Sequence, residues 1–192
     1  MYYDRHIKIA TGGSRKATSW TVQEATWSSF LLKLSQPVRT PETFQEYKSL
    51  PKPRQDDLKD VGGFVGGMLA GPRRKKDSAG ERHLVTLDAD SIEPGGTQGV
   101  LNAVSGLGCA YAVYSTRKHE GAAPRLRIVV PLDEPCTAEE YEPIARKLAS
   151  FLGMQIFDPT TLESVRLMYW PSCSSDGEFV FLYEDKPFLS RA

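Results

Sequence analysis

The 192-residue chain is 40% hydrophobic and 25% charged, the composition of a soluble globular protein, with length for one generous domain or one domain plus an N-terminal subdomain. Its 24 basic and 24 acidic groups balance, so no global charge argues for nucleic-acid binding and only local patches can. No stretch approaches the ~20 apolar residues of a membrane span, and the start MYYDRHIKIA lacks the apolar run of a signal peptide, which excludes a membrane role and places the chain in the cytoplasm.

Cys109, Cys136 and Cys173 are odd in number, far apart and never form a C-x-x-C pair. They read as reduced thiols, with neither a disulfide framework nor a zinc knuckle implied.

Along the chain, Trp27, Phe30, Leu31 and Leu34 fall at i, i+3, i+4 and i+7, which predicts an amphipathic helix over 24–34. Thr40 followed by Pro41 reads as an N-cap with proline in the first turn, opening a second helix that buries Phe44 and Tyr47 and ends at Pro51 and Pro53. The glycine pairs of VGGFVGGML at 61–69 are not followed by the Gly-Lys-Ser/Thr of a phosphate loop. They mark either bends where backbones pack closely or a loop near template or nucleotide. In the run 71–80, Arg73, Arg74, Lys75 and Lys76 are consecutive. This is either a solvated turn or a contact to a nucleic-acid backbone.

From Arg82 onward, strands and helices alternate. Strands are predicted at 83–88, 109–115 and 125–131, with a helix at 97–107. Thr137-Ala138-Glu139-Glu140 forms a capping box for a helix that keeps Tyr141, Ile144, Ala145, Leu148, Phe151 and Leu152 in period until Gly153 stops it. Further strands are predicted at 154–157, 166–169 and 178–183, the last two separated by the turn Ser174-Ser175-Asp176-Gly177. The result is an α+β sandwich with a split β-α-β layout.

Strand alternation points Asp88 and Asp90 the same way and turns Val85 and Leu87 to the opposite layer. Two carboxylates at a strand end repel unless a cation lies between them, and hard oxygen ligands suit Mg²⁺ or Mn²⁺. The same alternation sets Arg125 and Arg127 against Leu126, Ile128 and Val130. A guanidinium fork matches phosphate, so these arginines serve either a nucleoside triphosphate or an ion-pair network with the aspartates. Asp158, after an apolar strand, is either a third metal ligand or the cap of the turn begun by Asp-Pro. Arg166 begins a later strand within reach of the same cluster, and His119 is either a site residue or an ordinary loop histidine.

The segments KIATGGSR, DVGGFVGG, LVTLDAD, YSTRKH, PRLRIVVPL, FDPTT and RLMYWPSCSSDGEFVF cover nearly the whole chain. Together they resemble the N-terminal primase-polymerase domain of phage and genomic-island replication proteins related to virulence-associated protein E, within the archaeo-eukaryotic primase superfamily. The resemblance implies an RNA-recognition-motif-like antiparallel or mixed sheet as catalytic core, at 81–192, with an N-terminal helical or α/β subdomain at 1–80 packed on it. It implies that Asp88 and Asp90 form the first, metal-binding motif and that Asp158 supplies the third. The second motif normally carries a phosphate-binding histidine. Its place falls either in PRLR, with Arg125 and Arg127, or in the STR that starts at Ser115, with Arg117 in the histidine position and His119 nearby. The implied activity is template-dependent nucleotidyl transfer by a DNA primase-polymerase with two divalent metals, in a bacterial host or encoded by a phage. Single-stranded DNA and dNTP or NTP are the implied partners. Relatives of this kind continue into a helicase or ATPase domain, so a chain stopping at Ala192 without a Walker motif is read as a fragment. Two rival expectations stand beside this one: a nucleotide- or single-stranded-DNA-binding module without catalysis, and a metal-dependent nuclease.

Overall fold

Eleven strands, five helices and two 3₁₀ turns make up the described part of the computed structural model, residues 1–191; Ala192 lies outside it. Strand β1 (His6–Gly12) turns its alternate residues Ile7 and Ile9 into the core and pairs antiparallel with β2 (Thr21–Thr26). Helix α1 (Trp27–Ser35) follows directly, and the Thr26 hydroxyl accepts its cap hydrogen bond from the Ser29 N–H. The helix expected from residue 24 therefore starts three residues later, because residues 24–26 are still held in register by β1. Its face of Trp27, Phe30, Leu31 and Leu34 is buried as the spacing predicts.

After β3 (Val38–Arg39), α2 (Phe44–Ser49) is capped by Thr43, not Thr40, through a reciprocal box with Glu46. Thr40 is diverted to Arg117, 77 residues away. Pro51 and Pro53 do close α2, yet they also open α3 (Lys52–Lys59), where proline fits the first turn. Next, β4 (Gly63–Val65) and β5 (Gly67–Leu69) belong to different sheets, so the chain crosses between sheets at Gly66. A Cβ on Gly63 would run into the Met168 carbonyl, and one on Gly67 into that of Glu81. Of the two readings of these glycines, close backbone packing is the one seen.

The remaining elements are β6 (Ala79–Ala89), α4 (Thr97–Ser105), β7 (Tyr111–Ser115), β8 (Leu126–Cys136), α5 (Ala138–Leu152), β9 (Met168–Tyr169), β10 (Ser172–Cys173) and β11 (Phe181–Glu184). The large sheet has the order β11-β7-β8-β6-β5 and is antiparallel throughout. Within it, β6-α4-β7 and β8-α5 realise the split β-α-β layout, and α4 and α5 cover one face through Val85, Leu87, Leu126, Ile128 and Val130. The strand expected at 154–157 is instead a 3₁₀ turn, Met154–Ile156, followed by one antiparallel bridge from Phe157 to Ala89. Gly153, at φ +101°, turns the chain too tightly for an extended run to start there. Helix α5 begins at its Thr137–Glu140 box as expected. Phe151 is 66% exposed rather than buried, since it sits one residue before Leu152 and so about 100° off the stripe of Tyr141, Ala145, Leu148 and Leu152.

The other face of the large sheet packs through Leu84, Ala112, Tyr114 and Val129 on α1 and on a second sheet of order β2-β1-β4-β9. Strand β5, from the first 80 residues, joins the large sheet, and β9, from the last 112, joins the small one. A third, two-stranded sheet pairs β3 with β10 in parallel. Among the described residues no helix is long and apolar enough to cross a membrane.

Candidate active site

Asp88 lies at the end of β6, on the face opposite Val85 and Leu87. Its cross-strand partner is Arg127 on β8, whose own partner on β7 is Tyr114, so an acid, a base and a phenol form one row across the sheet. Arg127 Nε stands 3.4 Å from Asp88 Oδ1, and Nη1 donates to the Tyr169 carbonyl at 3.1 Å. Burial works against the charge of Arg127, but the Asp88 carboxylate overcomes it and raises the guanidinium pKa. Tyr114 donates to the same carbonyl at 2.9 Å, and its burial pushes its pKa up to about 12, so it stays neutral.

Asp158 reaches this row from far along the chain. Its N–H donates to the Asp88 carbonyl at 2.9 Å, and one residue pair further the Asp90 N–H donates to the Ile156 carbonyl at 3.1 Å. The Thr161 hydroxyl, buried, accepts from the Asp88 N–H at 2.8 Å and donates to the Thr86 carbonyl at 3.1 Å, locking the second 3₁₀ turn, Pro159–Leu162, to β6. Arg166 Nη2 then spans both acids, 2.9 Å from Asp158 Oδ2 and 3.4 Å from Asp88 Oδ2. Asp158 also caps its turn as the sequence allowed: Oδ1 accepts from the Thr160 N–H at 2.9 Å and hydroxyl at 2.7 Å. Burial raises its pKa, but these hydrogen bonds and the Arg166 charge outweigh that and hold the carboxyl below its usual range. Asp90 is taken separately, by Arg125 Nη1 at 3.0 Å.

These groups sit in a cleft of about 610 Å³ lined by nine cationic side chains and four carboxylates. Asp88, Asp90, Asp158, Arg117, Arg125, Arg127 and Arg166 all line it, as does Arg74. Arg117 is nearly enclosed: Nη2 pairs with Glu42 and the Thr40 hydroxyl, the guanidinium lies 4.6 Å over the Tyr47 ring, and Nε and Nη1 have no hydrogen-bond partner. Enclosing a guanidinium is costly, and the Glu42 carboxylate and the Tyr47 ring compensate its charge.

Other residues singled out in the sequence lie elsewhere. Ser115 is buried within β7's end, where its hydroxyl accepts from the Val180 N–H at 2.8 Å. The His119 ring is buried behind the cleft, Nδ1 accepting from the Arg125 N–H at 3.1 Å, so it supports the strand that presents Arg125. Arg73, Lys75 and Lys76 do not line the cleft. Arg74 does so with its guanidinium over Trp20 and Nη1 donating to the Val165 carbonyl at 3.2 Å. The cleft also takes Arg15, Lys16, Lys59 and Lys118, none of them singled out as a site residue from the sequence. The basic pair Arg15-Lys16 after Gly12-Gly13 and the YSTRKH segment around Lys118 are the signals that could have found them. Burial lowers the pKa of Lys59 and Lys118, with neighbouring cations adding to the effect.

Among the described residues no three His, Cys, Asp or Glu side chains stand close enough to enclose a metal by themselves. The donor chemistry still suits a hard cation: Asp88 and Asp158 are within one guanidinium's reach of each other. Mg²⁺ commonly takes one or two carboxylates and completes its shell with water and substrate phosphate.

The fold and site thus define an α+β protein whose central sheet carries an acidic pair at the base of a cationic cleft. The chain belongs to the VapE N-terminal domain family, whose model matches residues 1–192. Among solved structures, the AEP domain of the cyanophage S-2L primase-polymerase is similar with a TM-score of 0.43 and 12% identity, over 93% of this chain and 80% of that one. No curated protein matches the chain.

Proposed function

We propose that the cleft is the active centre of a template-dependent nucleotidyltransferase of the primase-polymerase type, acting on single-stranded DNA with dNTP or NTP. The observation that carries this reading is the junction of Asp88 and Asp158 under one arginine, open to a cleft in which cations outnumber acids. Asp88 and Asp158 would hold Mg²⁺ or Mn²⁺, with Asp90 joining them once released from Arg125. Bound there, divalent ions supply an activated 3′-hydroxyl and charge compensation for the leaving pyrophosphate. Arg125, Arg127 and Arg166 neutralise charge on the triphosphate from fixed positions, and Arg117, held in place by Glu42 and Tyr47, adds positive potential behind them. Arg73, Lys75 and Lys76 extend the contact to the template backbone beyond Arg74. A replication helicase or ATPase attached to or associated with this domain supplies the strand.

The test is incorporation of nucleotides on a primed and an unprimed template with Mg²⁺ or Mn²⁺. Asp88→Ala and Asp158→Ala are each expected to lose roughly 10²-fold or more of the activity. An Asp88→Ala, Asp90→Ala double variant as active as the parent would overturn the mechanism. One observation favours a second reading, a binding module without catalysis: each of the three carboxylates is already paired with an arginine. Nucleotide binding without product under either metal would select it, and degradation of labelled single-stranded DNA without nucleotide would select a nuclease instead.

A further inference from the structure

The cationic cleft does not end at its charged walls. Trp170 and Pro171 line it on one side and also line a second groove of about 350 Å³, reached past α1 and β3. That groove has a different chemistry. Its walls are Leu32, Val38, Val61, Trp170 and Pro171, with Ser29 and Gln36 at its polar edge, and Lys33 is the one charged lining residue among the described residues, with Nζ 4.4 Å over the Trp170 ring. Leu32 is 60% exposed, on a helix whose other apolar residues are buried, and Val38 on the short strand β3 is 49% exposed. Two large aliphatic side chains left open side by side, continuous with a cleft shaped for polyanions, call for a ligand that is anionic along one edge and flat and apolar along the other. A nucleic-acid strand has that build, and proteins that hold single strands combine a positive track with apolar or aromatic platforms for the bases.

We infer that the groove between Leu32, Val38 and Trp170 is a nucleobase-binding extension of the cleft, receiving unpaired bases of a DNA strand whose phosphates lie along the cleft lysines Lys16, Lys59 and Lys118. The inference rests on the nucleic-acid reading of the cleft, and it deepens that reading by assigning the bases to a surface away from the Arg73–Lys76 run. Lys33 provides the adjoining cation for the next phosphate.

The experiment compares binding, by fluorescence anisotropy without metal, of a labelled oligothymidylate and an abasic oligonucleotide of the same length and charge. The chain is expected to hold the base-bearing strand about tenfold tighter. A Leu32→Ser, Val38→Thr double variant should keep its affinity for the abasic strand and for dNTP but bind the two strands within about twofold of each other. Both positions are exposed, so the fold tolerates the change, and Leu32→Ser alone serves as a second variant with an intermediate loss. Equal binding of the two strands by the parent chain, no binding of either, or full base preference in the double variant, as when a protein covers the groove, would each overturn the assignment. Base preference without any nucleotide incorporation would instead sink the polymerase reading and leave the groove standing.

Discussion

Arg117 carries the most information per residue. Its side chain is 2% exposed and is held by Glu42, Thr40 and the face of Tyr47, all from the first 50 residues. Burial would raise the Glu42 carboxyl, but the Thr40 hydrogen bond and the Arg117 charge lower it below the ordinary 4.5. A carboxyl depressed in the folded state adds stability in full above its unfolded pKa and loses it as pH falls through the folded value. Glu42→Gln is therefore expected to cost about 1–3 kcal/mol at neutral pH, because it leaves Arg117 without its counter-charge. The gap from the parent should begin to narrow below pH 4.5, where Glu42 of the unfolded chain protonates, and close as pH falls through the depressed folded value. Urea denaturation at pH 7 and pH 3.5 measures both, and a gap that does not shrink in acid would remove the ion pair from the account. Nothing in STR at 115–117 reveals this partner, since the contact spans 75 residues.

At the scale of elements, legibility follows how local the determinants are. Helix α5 was readable to its ends because its cap, its period and its stop all lie within the segment 137–153. Thr137→Ala removes the cap acceptor for the Glu140 N–H and should cost about 1 kcal/mol, seen as a lower urea midpoint at unchanged slope. The cap of α2 falls at Thr43 rather than at the expected Thr40, because Thr43 has Glu46 three residues on to complete a local capping box while Thr40 is held by Arg117. The segment 154–157 has strand composition, yet the turn at Gly153 and its docking on Ala89 leave only a bridge. That docking serves the site better than a longer strand, because it sets Asp158 beside Asp88.

At the scale of the molecule, a chain of zero formal charge concentrates nine cations in one cleft with four acids. Three carboxylates there are already paired with arginines, which leaves several positive groups for phosphates. Oligonucleotide binding should then weaken with salt, with a log–log slope of about −2 to −4, and Lys118→Ala should reduce the magnitude of that slope by about 0.7. A slope near zero in a salt titration would show that phosphates are not what the cleft holds. The cleft is walled by both parts of the chain, with Arg15, Lys16 and Lys59 from the first 80 residues lining it together with Asp88 and Arg127 from the rest.

The sequence by itself determined the α+β alternation, the face of each central strand and the candidate acids and arginines, because these follow from period, capping and side-chain chemistry over a few residues. Only the tertiary structure decided which acid meets which arginine, that Asp158 joins Asp88 while Asp90 goes to Arg125, and that Arg15, Lys16, Lys59 and Lys118 complete the cleft. Those choices are made by hydrogen bonds and ion pairs between segments tens of residues apart, whose partners no local pattern encodes.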